Sequence, residues 1–146
     1  MAAPLKTTQG ILVGFLFYAT VVAYGIYQLP ERFTTPQLAA LEEVGRGLVA
    51  LSLGPAVGVG ASLYEATLWD MPLPQALLRF MLFTPSHVAL SMLWSRFDAR
   101  GGALAIFVHV AWNSLVSTRY WPIPLILMVF VYALLLRDIY MKEKYF

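Results

Sequence analysis

Five runs along the chain approach the roughly 20 apolar residues that a helix needs to cross a hydrocarbon core about 30 Å thick. They cover residues 10–29, 44–64, 73–94, 102–118 and 123–136. Polar stretches separate them, the longest being "ERFTTPQLAALEE" after Pro30, and "RDIYMKEKYF" follows the last run. The second run contains "GPAVGVG". Proline removes a backbone donor and glycine is a poor helix former, so this run is expected to break at Gly54 and Pro55. The pattern predicts an all-α, polytopic membrane protein of about five transmembrane helices, with residues 1–146 forming a single integral membrane domain. No internal repeat or low-complexity segment interrupts it.

Composition agrees with the pattern. Hydrophobic residues make up 60% of the chain and charged residues 12%, with a mean hydropathy of +0.69, well outside the usual range of a soluble domain. The expected function therefore lies in or against the lipid bilayer. There is no cysteine, which excludes disulfides, thiolate nucleophiles, iron–sulfur clusters and cysteine-based zinc sites. A net charge of +2 gives no case for nucleic acid as a partner. The N-terminal run is too long for a signal-peptide core and reads as a retained helix.

Charge also gives an orientation. Alternating five helices across a membrane leaves Arg32, Arg46, Arg96, Arg100, Arg137, Lys142 and Lys144 on one side, against Lys6, Arg79 and Arg119 on the other. The positive-inside rule makes the first side cytoplasmic. The expectation is a multi-pass protein of a bacterial-type inner membrane, with its N-terminus outside and its C-terminus in the cytoplasm.

Candidate chemistry sits inside the apolar runs, where polar side chains are costly and often mark a site. The only histidines are His87 and His109. The first lies about two turns before the third run ends and the second about two turns after the fourth begins. On antiparallel neighbours the two imidazoles reach nearly the same depth, where they can share one ion; alternatively each bonds a carbonyl of the next helix. Asn113 follows His109 by one turn, able to donate to an oxyanion or to join helices. Glu42 and Glu43, in "LEEVGRG", precede the second run. One carboxylate can serve as a general base while Arg46 holds the other, or both can be ordinary helix-start residues with Glu42 and Arg46 as an i,i+4 pair. Glu65, at the far end of that run, reads most simply as a headgroup-level residue.

These residues carry a resemblance. "EEVGRG" resembles the E-E-x-x-R signature of YhfC-like intramembrane proteases and the E-E-x-x-K of the PrsW proteases, which cleave anti-sigma factors. "GPAVGVGASLYEA" is similar to the glycine-rich helix of PrsW proteins that ends in an acidic residue, here Glu65. "LLRFMLFTPSHVALSML" resembles their second motif, and "HVAWNSL" the closing H-x-x-x-N. All belong to the superfamily of type II CAAX prenyl endopeptidases, which also contains the multi-spanning scaffold subunit of gamma-secretase. The resemblance covers roughly residues 41–115. It implies Glu43 or Glu42 as the water-activating base, His87 and His109 as metal ligands or catalytic partners, and Asn113 as oxyanion stabiliser. In one respect the chain departs from these relatives. Only 22 residues separate Glu43 from Glu65, where the relatives fit a helix, a loop and a second helix.

The leading expectation is a minimal intramembrane metalloprotease, with zinc on the two histidines and a carboxylate, a remaining glutamate deprotonating water, and a membrane-protein or peptide substrate entering between helices. A second is a non-catalytic subunit or scaffold of a larger membrane complex. A third is a b-type haem-binding subunit with His87 and His109 as axial ligands.

Overall fold

A computed structural model describes residues 3–20, 34–68 and 72–145, and among these the fold is all-helical. Among the described residues five helices follow one another: α1 (Ala3–Phe17), α2 (Thr35–Leu53), α3 (Ala56–Leu68), α4 (Leu73–Leu115) and α5 (Pro122–Tyr145). Two of them, α4 and the Pro122–Lys144 stretch of α5, are long and apolar enough to cross a membrane. The second half of the first predicted run and the start of the linker after it lie outside the described residues.

The helices differ from the predicted runs in ways that matter for the site. α2 begins at Thr35 rather than near residue 44. Its start is set by "TTPQ": the Gln37 side-chain oxygen accepts the Thr34 backbone N–H at 2.8 Å, and proline stands within the first turn, where its missing N–H has no partner to lose. Glu42 and Glu43 consequently fall in the interior of a helix instead of ahead of it. At the other end of the chain, "RDIYMKEKY" continues α5 as helix.

The expected break at Gly54 and Pro55 is present, and it is a reversal. α2 stops at Leu53, Gly54 takes φ 77° and ψ −165°, and α3 starts at Ala56. Those angles fall in a region that is essentially closed to residues with a Cβ. In one straight helix Glu42 and Glu65 would stand about 35 Å apart at 1.5 Å per residue. They line the same cavity. The 44–64 run is thus two helices folded back on each other.

A second reversal lies inside α4. Asp98 has φ 50° and ψ −134°, and the Cβ of a residue at Gly101 would collide with the Leu93 carbonyl. Residues eight apart in an unbroken helix are about 12 Å apart, so residues 73–97 and 99–115 form two arms meeting at Asp98. Aspartate is among the few non-glycine residues that tolerate positive φ. What reads in sequence as a seven-residue charged loop between two runs is a one-residue turn.

Side-chain contacts give the direction of each arm. Gly10 lies against Leu53 and Ala56 while Tyr18 packs with Ala61 and bonds Glu42, so α1 runs parallel to α3 and antiparallel to α2. α5 runs parallel to the 73–97 arm, with Tyr132 beside Ser86 and Asp138 bonded to Arg96. Up-and-down alternation over six arms brings the Gly54 and Asp98 turns, the Ala3 end of α1 and the Tyr145 end of α5 to one end of the bundle. Lys6, Arg96, Arg100, Arg137, Lys142 and Lys144 gather there. Arg79 and Arg119 lie toward the other end.

The Gly54 geometry generates a stability prediction. Gly54→Ala forces a Cβ into a glycine-only conformation and is expected to cost about 1–3 kcal/mol. Thermal unfolding in micelles measures it; an unchanged midpoint would mean that the reversal does not need glycine.

Candidate functional site

The two turns set the depth of the site. Asp98 is eleven residues from His87 on one arm and eleven from His109 on the other; Gly54 is twelve from Glu42 and eleven from Glu65. At 1.5 Å per residue all four side chains start about 16–18 Å from the same end of the bundle. They line one cavity of about 330 Å³ together with Arg79 and Asn113. Its lining continues to Thr35 and Val116, near the end opposite the turns.

Beneath the cavity lies a buried ionic network. Arg46 and Glu43 have no exposed surface. Arg46 donates to Glu43 Oε2, one turn away on α2, and to His87 Nδ1 at 2.5 Å. Glu43 accepts two further bonds, from Trp94 Nε1–H on Oε1 at 3.0 Å and from His109 Nδ1–H on Oε2 at 2.8 Å. One carboxylate thereby joins α2 to both arms of α4. Trp94 reaches it because glycine stands on both sides of its indole: a Cβ at Gly47 or Gly102 would overlap the ring.

Donor and acceptor chemistry assigns the ring protons. A guanidinium only donates, so His87 Nδ1 accepts and the proton of the neutral ring is on Nε2. That Nε2–H faces Glu65 Oε2 at 3.3 Å, and Glu65 has Arg79 at 3.8 Å. A carboxylate only accepts, so His109 carries its proton on Nδ1 and turns the Nε2 lone pair toward the cavity. Glu42 Oε1 lies 3.8 Å from that nitrogen and accepts the Tyr18 hydroxyl at 2.9 Å. The separation is too long for a direct hydrogen bond and leaves a water able to touch both groups.

The sequence-predicted residues therefore converge, with distinct surroundings. Glu42, His87, His109 and Asn113 face the cavity, while Glu43 and Arg46 sit behind it. Asn113 has an exposed side chain and no hydrogen bond among the described residues. Sequence reasoning did not single out Tyr18 or Trp94, and it placed Glu65 at headgroup level. Tyr18 lies on a helix with no motif, and Trp94 marks only the end of an apolar run. Glu65 was obscured because the reversal at Gly54 is not visible in a continuous apolar run.

Zinc tests poorly against this donor set. His109 Nε2 and Glu42 are suitable ligands, but His87 Nε2 holds a proton for as long as Arg46 donates to Nδ1. Among the described residues no three His, Asp or Glu side chains converge as a metal-binding group. The same proton stands against His87 as a haem ligand.

Compared with known proteins, the chain matches no family model, no curated protein sequence and no solved structure. The resemblance to the intramembrane proteases rests on its motifs.

The network yields a prediction about its aromatic donor. Trp94→Phe keeps most of the ring volume but removes a hydrogen bond from a fully buried carboxylate, for an expected loss of about 1–3 kcal/mol. Thermal unfolding of the two proteins in the same micelles measures it, and equal midpoints would show that Glu43 does not depend on the indole.

Proposed function

We propose that this chain is an intramembrane hydrolase that cleaves peptide bonds in or next to the bilayer, using a water activated between His109 and Glu42. The observation that carries the reading is the Glu43–His109 pair. A buried carboxylate fixing Nδ1–H while Nε2 faces a cavity is the arrangement by which a histidine is kept ready as a general base. His109 takes a proton from water as its oxygen attacks the carbonyl carbon, then returns it to the leaving amine when the C–N bond breaks. Glu42 orients the water and balances the imidazolium formed in between. Asn113, one turn from His109, supplies a side-chain donor for the oxyanion. In this reading Glu43, the other candidate base, positions His109 and does not meet water.

Orientation follows from the same geometry. The Lys- and Arg-rich end of the bundle is cytoplasmic by the positive-inside rule, so the C-terminus is inside and the cavity opens toward the outer side. With six arms, Lys6 joins the basic end and the two ends of the described chain share one side, in place of the opposite sides expected from five.

A second reading is favoured by one observation. The network of Glu43 with Arg46, Trp94 and His109 closes three helical arms, as a scaffold subunit of a larger membrane complex would require.

Activity tests separate the two. Reconstituted with a pool of fluorescence-quenched transmembrane peptides, the wild type is expected to release fluorescence, and Glu42→Gln and His109→Ala to lose it while retaining the wild-type helical content. No cleavage by the wild type, or full cleavage by both variants, would contradict the hydrolase. Orientation is read separately in this cysteine-free chain: Thr35→Cys is expected to react with an impermeant maleimide on intact cells, and Lys144→Cys only after permeabilisation. The opposite pattern would reverse the assignment.

A further inference from the structure

The two histidines occupy one cavity at one depth, yet the groups behind them are of opposite kind. His109 is backed by an acceptor, Glu43, and His87 by a donor, Arg46. Opposite backing gives opposite fronts: a lone pair from His109 and an N–H from His87. Taking the hydrolase reading as given, we infer that His87 is an oxyanion donor, that Arg46 is the positioning residue that holds it in the donating tautomer, and that the cavity accepts a tetrahedral anion beside Nε2. A neutral imidazole can polarise a carbonyl by hydrogen bonding without transferring its proton, as the histidine of triosephosphate isomerase does. His87 thus keeps its proton throughout, and the proton taken from water travels only through His109.

Glu65 completes the arrangement. Its Oε2 stands 3.3 Å from His87 Nε2, a looser approach than the hydrogen bonds that hold the two Nδ1 atoms, and therefore the contact most easily exchanged for a bond to an incoming carbonyl. Arg79, at 3.8 Å from the same carboxylate oxygen, offsets a charge that would otherwise repel the developing anion. His87 is buried, so the donor is largely shielded from bulk water, where such a bond would be weak. The N–H faces Glu65 when no substrate is present and is available when one arrives.

With only two histidines in the chain, the inference can be read directly by ring-nitrogen magnetic resonance of the full-length protein labelled with 15N-histidine, in nanodiscs. Signals are assigned with His87→Asn and His109→Asn. One ring, His87, is expected to be protonated at Nε2 and bare at Nδ1, and the other, His109, the reverse. Dodecylphosphonate serves as the probe, a tetrahedral anion on an apolar chain. It should shift the His87 Nε2–H signal and leave His109 Nδ1–H in place. Arg46→Met should abolish the His87 preference and its response, whereas Arg46→Lys, which still donates, should restore both. Glu65→Gln should leave the tautomer unchanged. Zinc chloride alone should not displace the His87 proton.

A wild-type spectrum with both rings in the same tautomer, or a His87 signal indifferent to saturating phosphonate, would overturn the inference. So would loss of the His87 proton to zinc. Should Arg46→Met fail to fold, the wild-type tautomers and the phosphonate response still decide. Opposite tautomers with a phosphonate response but no peptide cleavage would keep the anion site and remove the hydrolase. Cleavage that needs His109 and Glu42 but survives His87→Phe undiminished would keep the hydrolase and remove the oxyanion role, for which a loss of about 10²–10³ in kcat is expected.

Discussion

Arg46 is wholly buried, and a buried guanidinium is tolerated only where its charge is answered. Glu43 answers the charge and His87 takes a second bond. Glu43 in turn is completed by Trp94 and His109. These partners are spread over α2, the 73–97 arm and the 99–115 arm, so the network exists only when α2 and both arms of α4 are packed in one register. Removing a single member leaves an uncompensated buried charge, which is far more damaging than the loss of one surface pair. The polar side chains that look out of place in an apolar sequence are therefore the ones that specify how its helices meet.

Two turns make that register chemically useful. Gly54 and Asp98 reverse the chain at the same end of the bundle, and four titratable side chains rise from them to a common level where they line one cavity. The ionic network lies on the far side of the two imidazoles and sets the direction in which each ring donates or accepts. A similar pair of histidines without Arg46 and Glu43 behind them would have no fixed tautomers. Stability and proposed chemistry thus draw on the same buried bonds, with Glu43 and Arg46 serving the first and orienting the second.

Much of the site was legible from residue type: His87, His109 and Asn113 are costly inside an apolar run, whereas Glu42, Glu43 and Arg46, at the start of one, stood out by their pairing and also had an ordinary helix-start reading. The equal depth of the histidines was also readable, since 22 residues centred on a polar stretch imply a hairpin. The path of the chain was less legible. Hydropathy cannot distinguish a bent helix from a hairpin of two short ones, so the 44–64 run concealed the reversal that brings Glu65 back to His87. Hydropathy also missed the start of α2, which proline and a capping glutamine place nine residues earlier. Tyr18 and Trp94 illustrate a different limit: an aromatic side chain in an apolar helix carries no mark of whether its polar atom meets a carboxylate or solvent.

The most direct test of this arrangement is the distance between α2 and α3. Leu41 and Leu63 are exposed, adjacent to Glu42 and two residues before Glu65, and the chain has no cysteine to interfere. Spin labels on Leu41→Cys and Leu63→Cys, measured by pulsed dipolar spectroscopy in nanodiscs, should report a distance well below the roughly 33 Å that 22 residues of one straight helix would impose. A distribution centred near that longer value would mean that Glu42 and Glu65 do not share a cavity, and the site built on them would not exist.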